Sequence, residues 1–482
     1  MTSHHFNIET IGIVGTGAMG RGIAQIAAQA GLAVRLYDTN AQAVAAASAY
    51  LADTFAKLAA KGKLSETDAQ AALERVTGVN TIDGLAGCDL VVEAIVENLD
   101  AKRVLFRELE TVVSGKCVLA SNTSSLSITA IAAACTDPSR VAGYHFFNPV
   151  PLMKVVEVID GLRSDPAAGD ALMALARRIG HTPVRAKDMP GFIVNHAGRG
   201  MNTEGLRVAG EGVASFAEID RIMREQAGFR LGPFELLDLT ALDVSHPVME
   251  SIYHQFYEEP RFTPSPITGV RLAGGLVGRK VGEGFYRYVD GKQQTPEEAA
   301  APTTLPARVW VSRRHAAARD AVLALAAQAG VAIDTLFPLA GAKRRTLMTT
   351  PATTRAARDA GHALFAADGV PVTVIHDSTG FVAQRIVATI VNIGCDIAQK
   401  QIASPRDIDL AVTLGLGYPH GPLALGDALG ARTILTILRN IHAVLGDPRY
   451  RPSPWLARRA QLGLSLTQPD AADIHATNEA TQ

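Results

Sequence analysis

The chain has 482 residues, 48% hydrophobic and 19% charged, enough for several ordinary cores, and 46 basic against 47 acidic side chains leave a formal net charge of -1. That balance argues against nucleic acid or an anionic membrane surface as the main partner, and no apolar run reaches the roughly 18 residues of a membrane span. Four cysteines, Cys88, Cys117, Cys135 and Cys395, show neither C-x-x-C nor a paired-ligand spacing, so a reducing, cytoplasmic setting without disulfides or metal is expected.

Thr10 to Val14 (TIGIV) reads as a buried strand running into Gly15-Thr16-Gly17-Ala18-Met19-Gly20 and then an Ala-rich helix. Strand, glycines and helix start bring free N–H groups and the positive helix end to one point, which suits a pyrophosphate. Ala33 to Tyr37 is a second strand ending at Asp38, where a carboxylate accepts from ribose hydroxyls and repels a 2′-phosphate. The expected cofactor is therefore NAD. Asn40 to Lys63 is a long helix with Thr54 and Lys61 on one face. A solvated face is the plain account of it; a cation set for a substrate phosphate is the sharper one. Gly87 to Ile95 is a strand followed by Glu97 and a helix carrying Lys102. Cys117 to Ala120 opens into Ser121-Asn122-Thr123-Ser124-Ser125, hydroxyls at the end of a parallel strand, where ligands sit in open α/β sheets. Ser125 or Ser127 also suits a helix N-cap.

Val141 to Ile159, VAGYHFFNPVPLMKVVEVI, has two β-branched ends around an Asn148-Pro149-x-Pro151 turn. If the two runs lie side by side, His145 meets Glu157, and an imidazole held by a carboxylate is a competent general base. A half-buried strand histidine beside an unrelated acid is the bland alternative. A helix from Asp165 to Ile179 and a strand from Thr182 to Ala186 follow; Asp188-Met189-Pro190-Gly191 then breaks the α/β pattern.

From Phe192 the period is helical, with Asn195 in the first turns, and this region closes near Tyr288. Val289 to Ala307 has linker composition, and Arg308 to Pro371 alternates strand-like VWVS with Ala-rich runs. At Val372 the chain repeats itself with an offset of 189: Asp188-x-x-Gly191-Phe192 becomes Asp377-x-x-Gly380-Phe381, and Gly232-Pro233-x-x-Leu236-x-Asp238 becomes Gly421-Pro422-x-x-Leu425-x-Asp427. Asn195 maps onto Gln384. The expected organisation is a Rossmann-type α/β NAD-binding domain (1–188) and two tandem all-α domains (189–288 and a degenerate 372–482). A linker and small α/β unit (289–371) separate them.

The glycine loop with Asp38, SNTSS, HFFNPVPLMKVVEV, PGFIVN, LGPFELLD and KVGEGFYRY together resemble the 3-hydroxyacyl-CoA dehydrogenases over essentially the whole chain. The duplicated C-terminal domain and the PRYRP segment at Pro448 to Pro452 resemble the long bacterial form associated with aerobic phenylacetate breakdown, whose substrate is 3-hydroxyadipyl-CoA. The resemblance implies NAD-dependent, reversible oxidation of an L-3-hydroxyacyl-CoA to the 3-ketoacyl-CoA. It makes His145 the base, Glu157 its partner, and Ser124 and Asn195 the holders of the substrate's oxygens. NAD contacts then fall on Gly15, Gly17, Ala18, Met19, Gly20, Asp38, Glu97, Lys102, Ser124, Asn148 and Lys280, and CoA contacts near Thr54 and Lys61.

No crotonase-like half is expected ahead of this chain. In short relatives the helical domain forms the dimer interface, so a tandem copy predicts an internal pseudo-dimer, as a monomer or a homo-oligomer. Arg199, one turn after Asn195, is the candidate cation for a distal carboxylate, against the plainer reading of a solvated helix arginine. Two other classes fit less well. A small 3-hydroxyacid dehydrogenase uses a helix lysine where Asn195 stands, and a non-catalytic NAD-binding protein is expected to lack His145 or Glu157.

Overall fold

The computed structural model describes residues 6–306 and 330–470. Short runs of Val, Ile and Leu build one eight-stranded sheet: β1 (Thr10–Val14), β2 (Ala33–Tyr37), β3 (Val76–Gly78), β4 (Leu90–Glu93), β5 (Val118–Ser121), β6 (Val141–Phe146), β7 (Val155–Asp160) and β8 (Thr182–Lys187). Its order is β3-β2-β1-β4-β5-β6-β7-β8, parallel throughout except between β6 and β7. The order reverses between β1 and β4, so a crevice opens at the carboxyl ends of those strands, the usual ligand position in such sheets. Strands β1, β4, β5, β6 and β7 are buried along nearly their whole length, as continuous apolar runs in a sheet covered on both faces require.

The covering helices start where the sequence supplies caps. Asn40 accepts from Gln42 N ahead of the helix Ala41–Ala60, Asn98 from Ala101 N ahead of Leu99–Val112, and Asp165 from Ala167 N ahead of Pro166–Arg178. The helix Glu66–Glu74 and strand β3 carry too little apolar pattern to be read from sequence; β3 is half-buried at one residue and exposed at two.

Among the described residues, those up to His196 together with Gln401–Leu416 form one compact unit, and those from Ala197 to Lys400 and from Gly417 onward form a second. In the first unit the helix Pro405–Leu416 packs on β7 and β8, and Lys187 N donates to Ile402 O (2.8 Å). The second unit is mainly helical. Its elements recur at the sequence offset of 189: Pro233–Thr240 with Pro422–Leu429, Leu242–Gln255 with Ala431–Leu445, and Pro266–Ala273 with Pro454–Leu462. Val194–Gly210, which begins in the first unit, corresponds to Val382–Gln399.

The expected linker from Val289 is in part a hairpin, β9 (Arg287–Val289) with β10 (Lys292–Gln294). The turn is Asp290-Gly291 with φ of 50° and 72°, the left-handed pair that a two-residue hairpin loop demands. Further strands are β11 (Ala332–Ile333), β12 (Arg345–Met348) and β13 (Val372–Ile375), which form a sheet in that order. The expected VWVS strand lies outside the described residues. No described helix is long and apolar enough to cross a membrane.

Candidate active site

The first unit brings most of the sequence-derived candidates to the carboxyl edge of its sheet. Gly15 has φ of 94°, and a Cβ there would lie 2.5 Å from Ala94 O; at Gly20 it would lie 1.9 Å from Gly15 O, while at Gly17 it would meet nothing within 4 Å. The first and third glycines let backbone meet backbone, and the second leaves a cradle open. No side chain caps the helix Ala18–Gln29 and no acid stands in its first turn, so its N–H groups suit an anionic pyrophosphate. Asp38 Oδ2 accepts from Thr16 N (2.9 Å) and Thr16 Oγ1 (3.0 Å), tying the end of β2 to this loop. Burial works against its charge, but the bonds from Thr16 and Asn40 hold its carboxyl below the ordinary 3.8.

A second cluster, only half visible in the sequence, shapes the SNTSS loop. Glu93, at the end of β4 and fully buried, meets Lys102 Nζ at 2.5 Å and accepts from Ser121 Oγ (2.6 Å) and Ile95 N (2.7 Å). Lys102 is itself 1% exposed and also reaches Glu97 at 3.3 Å. Glu97 Oε1 in turn accepts from Thr123 Oγ1 (2.6 Å), Ser124 N (3.0 Å), Ser125 N (3.1 Å) and Ser125 Oγ (2.9 Å). Burial raises the Glu97 carboxyl, but the Lys102 ammonium and the bonds from Thr123, Ser125 and Ser124 outweigh it and hold the group below 4.5. Lys102 is thus clamped between two acids and bears on the loop through Glu97. Ser127 caps the next helix, and Asp188 accepts from Ser127 Oγ (2.7 Å), Ile128 N (3.0 Å) and Thr129 N (2.7 Å).

The hairpin forms as expected. His145 and Glu157 are directly opposed in the β6–β7 register, and His145 Nδ1 lies 2.6 Å from Glu157 Oε2, with both side chains buried. The other carboxylate oxygen accepts from Ile193 N (2.9 Å) and Val194 N (2.9 Å). With Nδ1 donating to the acid, Nε2 is the nitrogen left to take a proton. The rings of Phe147 and Phe192 stand 4.4 and 5.9 Å from the imidazole and exclude water from it. Asn122 Oδ1 accepts from Phe146 N (2.8 Å), and Asn195 Nδ2 donates to Ser124 O (3.2 Å). Ser124, His145, Glu157 and Asn195 therefore belong to one connected group.

The remaining candidates are more scattered. Asn148 is exposed beyond the end of β6, Thr54 is half-buried, and Lys61 is exposed at the C-cap of its helix. In the second unit Lys280 pairs with Asp243. Arg199 is buried there rather than solvated, and loss of hydration pushes its pKa down to about 10. Glu93 and Thr16 are the site residues that sequence reasoning missed. An acid inside an otherwise apolar strand, LVVE, is the signal for the first.

The model of the 3-hydroxyacyl-CoA dehydrogenase NAD binding domain matches residues 10–189, and that of the same family's C-terminal domain matches residues 191–288 and again 380–468. The 3-hydroxyadipyl-CoA dehydrogenase of Escherichia coli (strain K12) is 37% identical over 466 residues, covering 95% of this chain and 98% of that one. A crystal structure of 3-hydroxybutyryl-CoA dehydrogenase from Escherichia coli K12 substr. MG1655 is similar with a TM-score of 0.88 at 36% identity, covering 95% of this chain and 99% of that one. Human mitochondrial hydroxyacyl-coenzyme A dehydrogenase is 38% identical over 287 residues, 58% of this chain and 91% of its own length. On these matches the chain belongs to the 3-hydroxyacyl-CoA dehydrogenase family and is an NAD-dependent oxidoreductase of 3-hydroxyacyl-CoA.

Proposed function

We propose that His145 is the base of this reaction and that the physiological substrate is a short-chain or dicarboxylic L-3-hydroxyacyl-CoA, 3-hydroxybutyryl-CoA or 3-hydroxyadipyl-CoA. The observation that carries the first part is the 2.6 Å contact between His145 and Glu157 across the hairpin. NAD, held by the glycine loop and Asp38, would supply the hydride acceptor for C3. His145 Nε2 takes the C3 hydroxyl proton, and Glu157 holds Nδ1–H and balances the imidazolium charge. Ser124 and Asn195 hold the substrate's oxygens. Gly15, Gly17, Ala18, Met19 and Gly20 cradle the pyrophosphate, and Asp38 takes the ribose. Glu97 and Lys102 set the loop facing the cofactor; Asn148 and Lys280 complete its contacts, and Thr54 and Lys61 receive the CoA.

The substrate choice is supported by the full-length matches from Escherichia coli K12, which carry the names 3-hydroxyadipyl-CoA dehydrogenase and 3-hydroxybutyryl-CoA dehydrogenase. Arg199, a buried cation one turn beyond Asn195, is our candidate for a distal carboxylate. Following reduced-nicotinamide absorbance with acetoacetyl-CoA and a dicarboxylic analogue tests both parts. His145→Ala is expected to lose about 10²-fold or more in turnover on either substrate. Arg199→Ala should lose more on the dicarboxylic one, and equal losses would remove Arg199 from the acyl site. We further read the two helical repeats as tandem domains forming a pseudo-dimer within one chain, acting in the cytoplasm. Sedimentation showing an obligate dimer formed through the first helical copy would remove this reading.

A further inference from the structure

The repeat reaches further toward the N-terminus than Val372. Moved back by 189, β12, the helix Arg355–Ala366 and β13 fall on β7, the helix Pro166–Arg178 and β8. Strand β11 pairs antiparallel with β12 through Ala332↔Met348 and Ile333↔Leu347; β6 pairs with β7 through Gly143↔Ile159 and Tyr144↔Val158, the same pairs at the same offset. The parallel pairing matches too, Arg345↔Val372 against Val156↔Pro183. Side-chain bonds repeat with it. Ser164 Oγ donates to Val141 O (2.5 Å) and accepts from Gly161 N (2.9 Å); Thr353 Oγ1 donates to Gly330 O (2.6 Å) and accepts from Thr350 N (2.8 Å). Asp165 and Thr354 cap the two helices, and Gly180 and Gly369 follow them with φ of 74° and 82°.

In this register Asp334 stands in the place of His145, Thr346 in that of Glu157, and Gln384 in that of Asn195. Base, orienting acid and amide have become a closed polar knot. Asp334, fully buried, accepts from Gln384 Nε2 (2.8 Å), Gln226 Nε2 (3.0 Å) and Leu336 N (3.0 Å), and Thr346 Oγ1 donates to Gln226 Oε1 (2.5 Å). The packing is reciprocal. In the first unit Lys187 N donates to Ile402 O (2.8 Å); in the second His376 N donates to Val213 O (2.9 Å), and each residue of the second pair is its counterpart in the first at the same offset of 189. Each copy's segment after its long helix is thus seated on the other copy's hairpin.

The residue at the centre of each seat differs. Gln226 fills it in the knot; its counterpart on the catalytic hairpin is Gly415. A Cβ on Gly415 would lie 3.0 and 3.1 Å from the γ-methyls of Val194 and 3.7 Å from Val155 Cγ1. Val194 N–H is one of the two donors holding Glu157 (2.9 Å).

We propose that residues 330–376 are a second, chemically silent copy of the catalytic unit 141–187. Its role is to seat 213–226, while 401–416 braces the catalytic hairpin in return, with Gly415 as the positioning residue that leaves Glu157 its geometry. The turnover arm of the test rests on the His145 reading; the exchange arm does not.

Gly415→Gln, which installs the residue of the silent copy, is expected to lower kcat by about 10-fold or more, the scale of a sub-ångström to 1 Å misplacement. The KM for acetoacetyl-CoA and the Kd for NADH by fluorescence should move less than about twofold, and amide exchange should quicken in 155–160 and 193–195. Gly415→Ala should show the same split more weakly if the larger side chain prevents folding. Asp334→Ala should leave kcat within about twofold yet quicken exchange in 213–226 and 372–376. Unchanged kcat and exchange in folded Gly415→Gln overturns the bracing role. A loss in Asp334→Ala as large as that of His145→Ala overturns the silence of the second copy. A His145→Ala enzyme with full turnover removes the base assignment and leaves the exchange results standing.

Discussion

Glu157→Gln tests the site most directly, because three buried donors converge on one carboxylate. His145 Nδ1 lies 2.6 Å from one oxygen, and Ile193 N and Val194 N each lie 2.9 Å from the other. A glutamine offers only one accepting oxygen. If that oxygen keeps the two backbone donors, the amide NH₂ faces the imidazole. Nδ1 must then accept, the ring proton moves to Nε2, and the base is in the wrong tautomer. If the oxygen faces the imidazole instead, two buried N–H groups meet an NH₂ at a cost of about 1–3 kcal/mol each, and the imidazolium has no counter-charge. Either way kcat should fall by about 10²- to 10⁴-fold, or about 3–5.5 kcal/mol of barrier. The assay is NADH oxidation with acetoacetyl-CoA, beside a fluorescence titration of NADH. The cofactor Kd should hold within about threefold, since Glu157 bonds nothing in the 15–20 loop. A folded Glu157→Gln enzyme within tenfold of the parent in kcat would reduce the pair to packing and refute the reasoning.

Two further outcomes follow from the charge clusters. Glu97 is held below 4.5 in the fold. A depressed carboxyl contributes stability above its unfolded value and loses it as pH falls through the folded one. Order in the 121–127 loop, followed by amide exchange, should therefore be flat above about pH 5 and fall away below 4.5; Glu97→Gln should lack that acid limb and bind NADH less tightly at pH 7. In the second unit Arg385 and Glu204 are both fully buried and paired at 2.8 Å, with Glu211 at 2.5 Å from the same guanidinium. Arg385→Met takes the guanidinium from the fully buried Glu204 and should cost about 3–5 kcal/mol, read as a lower urea midpoint, while kcat per folded enzyme stays within about twofold.

What the sequence revealed, and what it hid, has a physical pattern. The β1 strand, the glycine loop and Asp38 are legible because a strand period, two steric requirements and one acid fall within a single local run. His145 and Glu157 are legible as residue types on two strand-like runs, but the connection 147–154 leaves their register open, so their pairing rested on the resemblance until the β6–β7 register was seen. Lys102 is named from the sequence, but its pairing with Glu93 is not legible, since it depends on how a loop returns a helix over a strand end, which no period encodes. The hairpin at Arg287–Gln294 is hidden by composition: its second strand, KQQ, falls in a stretch that looks like linker, and only the Asp290-Gly291 turn betrays it.

The silent copy was hidden for a deeper reason. Between 141–187 and 330–376 the shared features are those the backbone needs: a hydroxyl at 164 and 353 to close the same loop, a cap at 165 and 354, a glycine at 180 and 369. What differs are the residues that carry charge and protons, His145 against Asp334 and Glu157 against Thr346. A backbone asks only for a cap, a turn and an apolar face, which many sequences supply, so its shape persists while the letters drift. Proton transfer asks for an imidazole at one place, and any other side chain there ends it. The two hairpins therefore agree in hydrogen-bond register and disagree in chemistry, and a seat needs only the register.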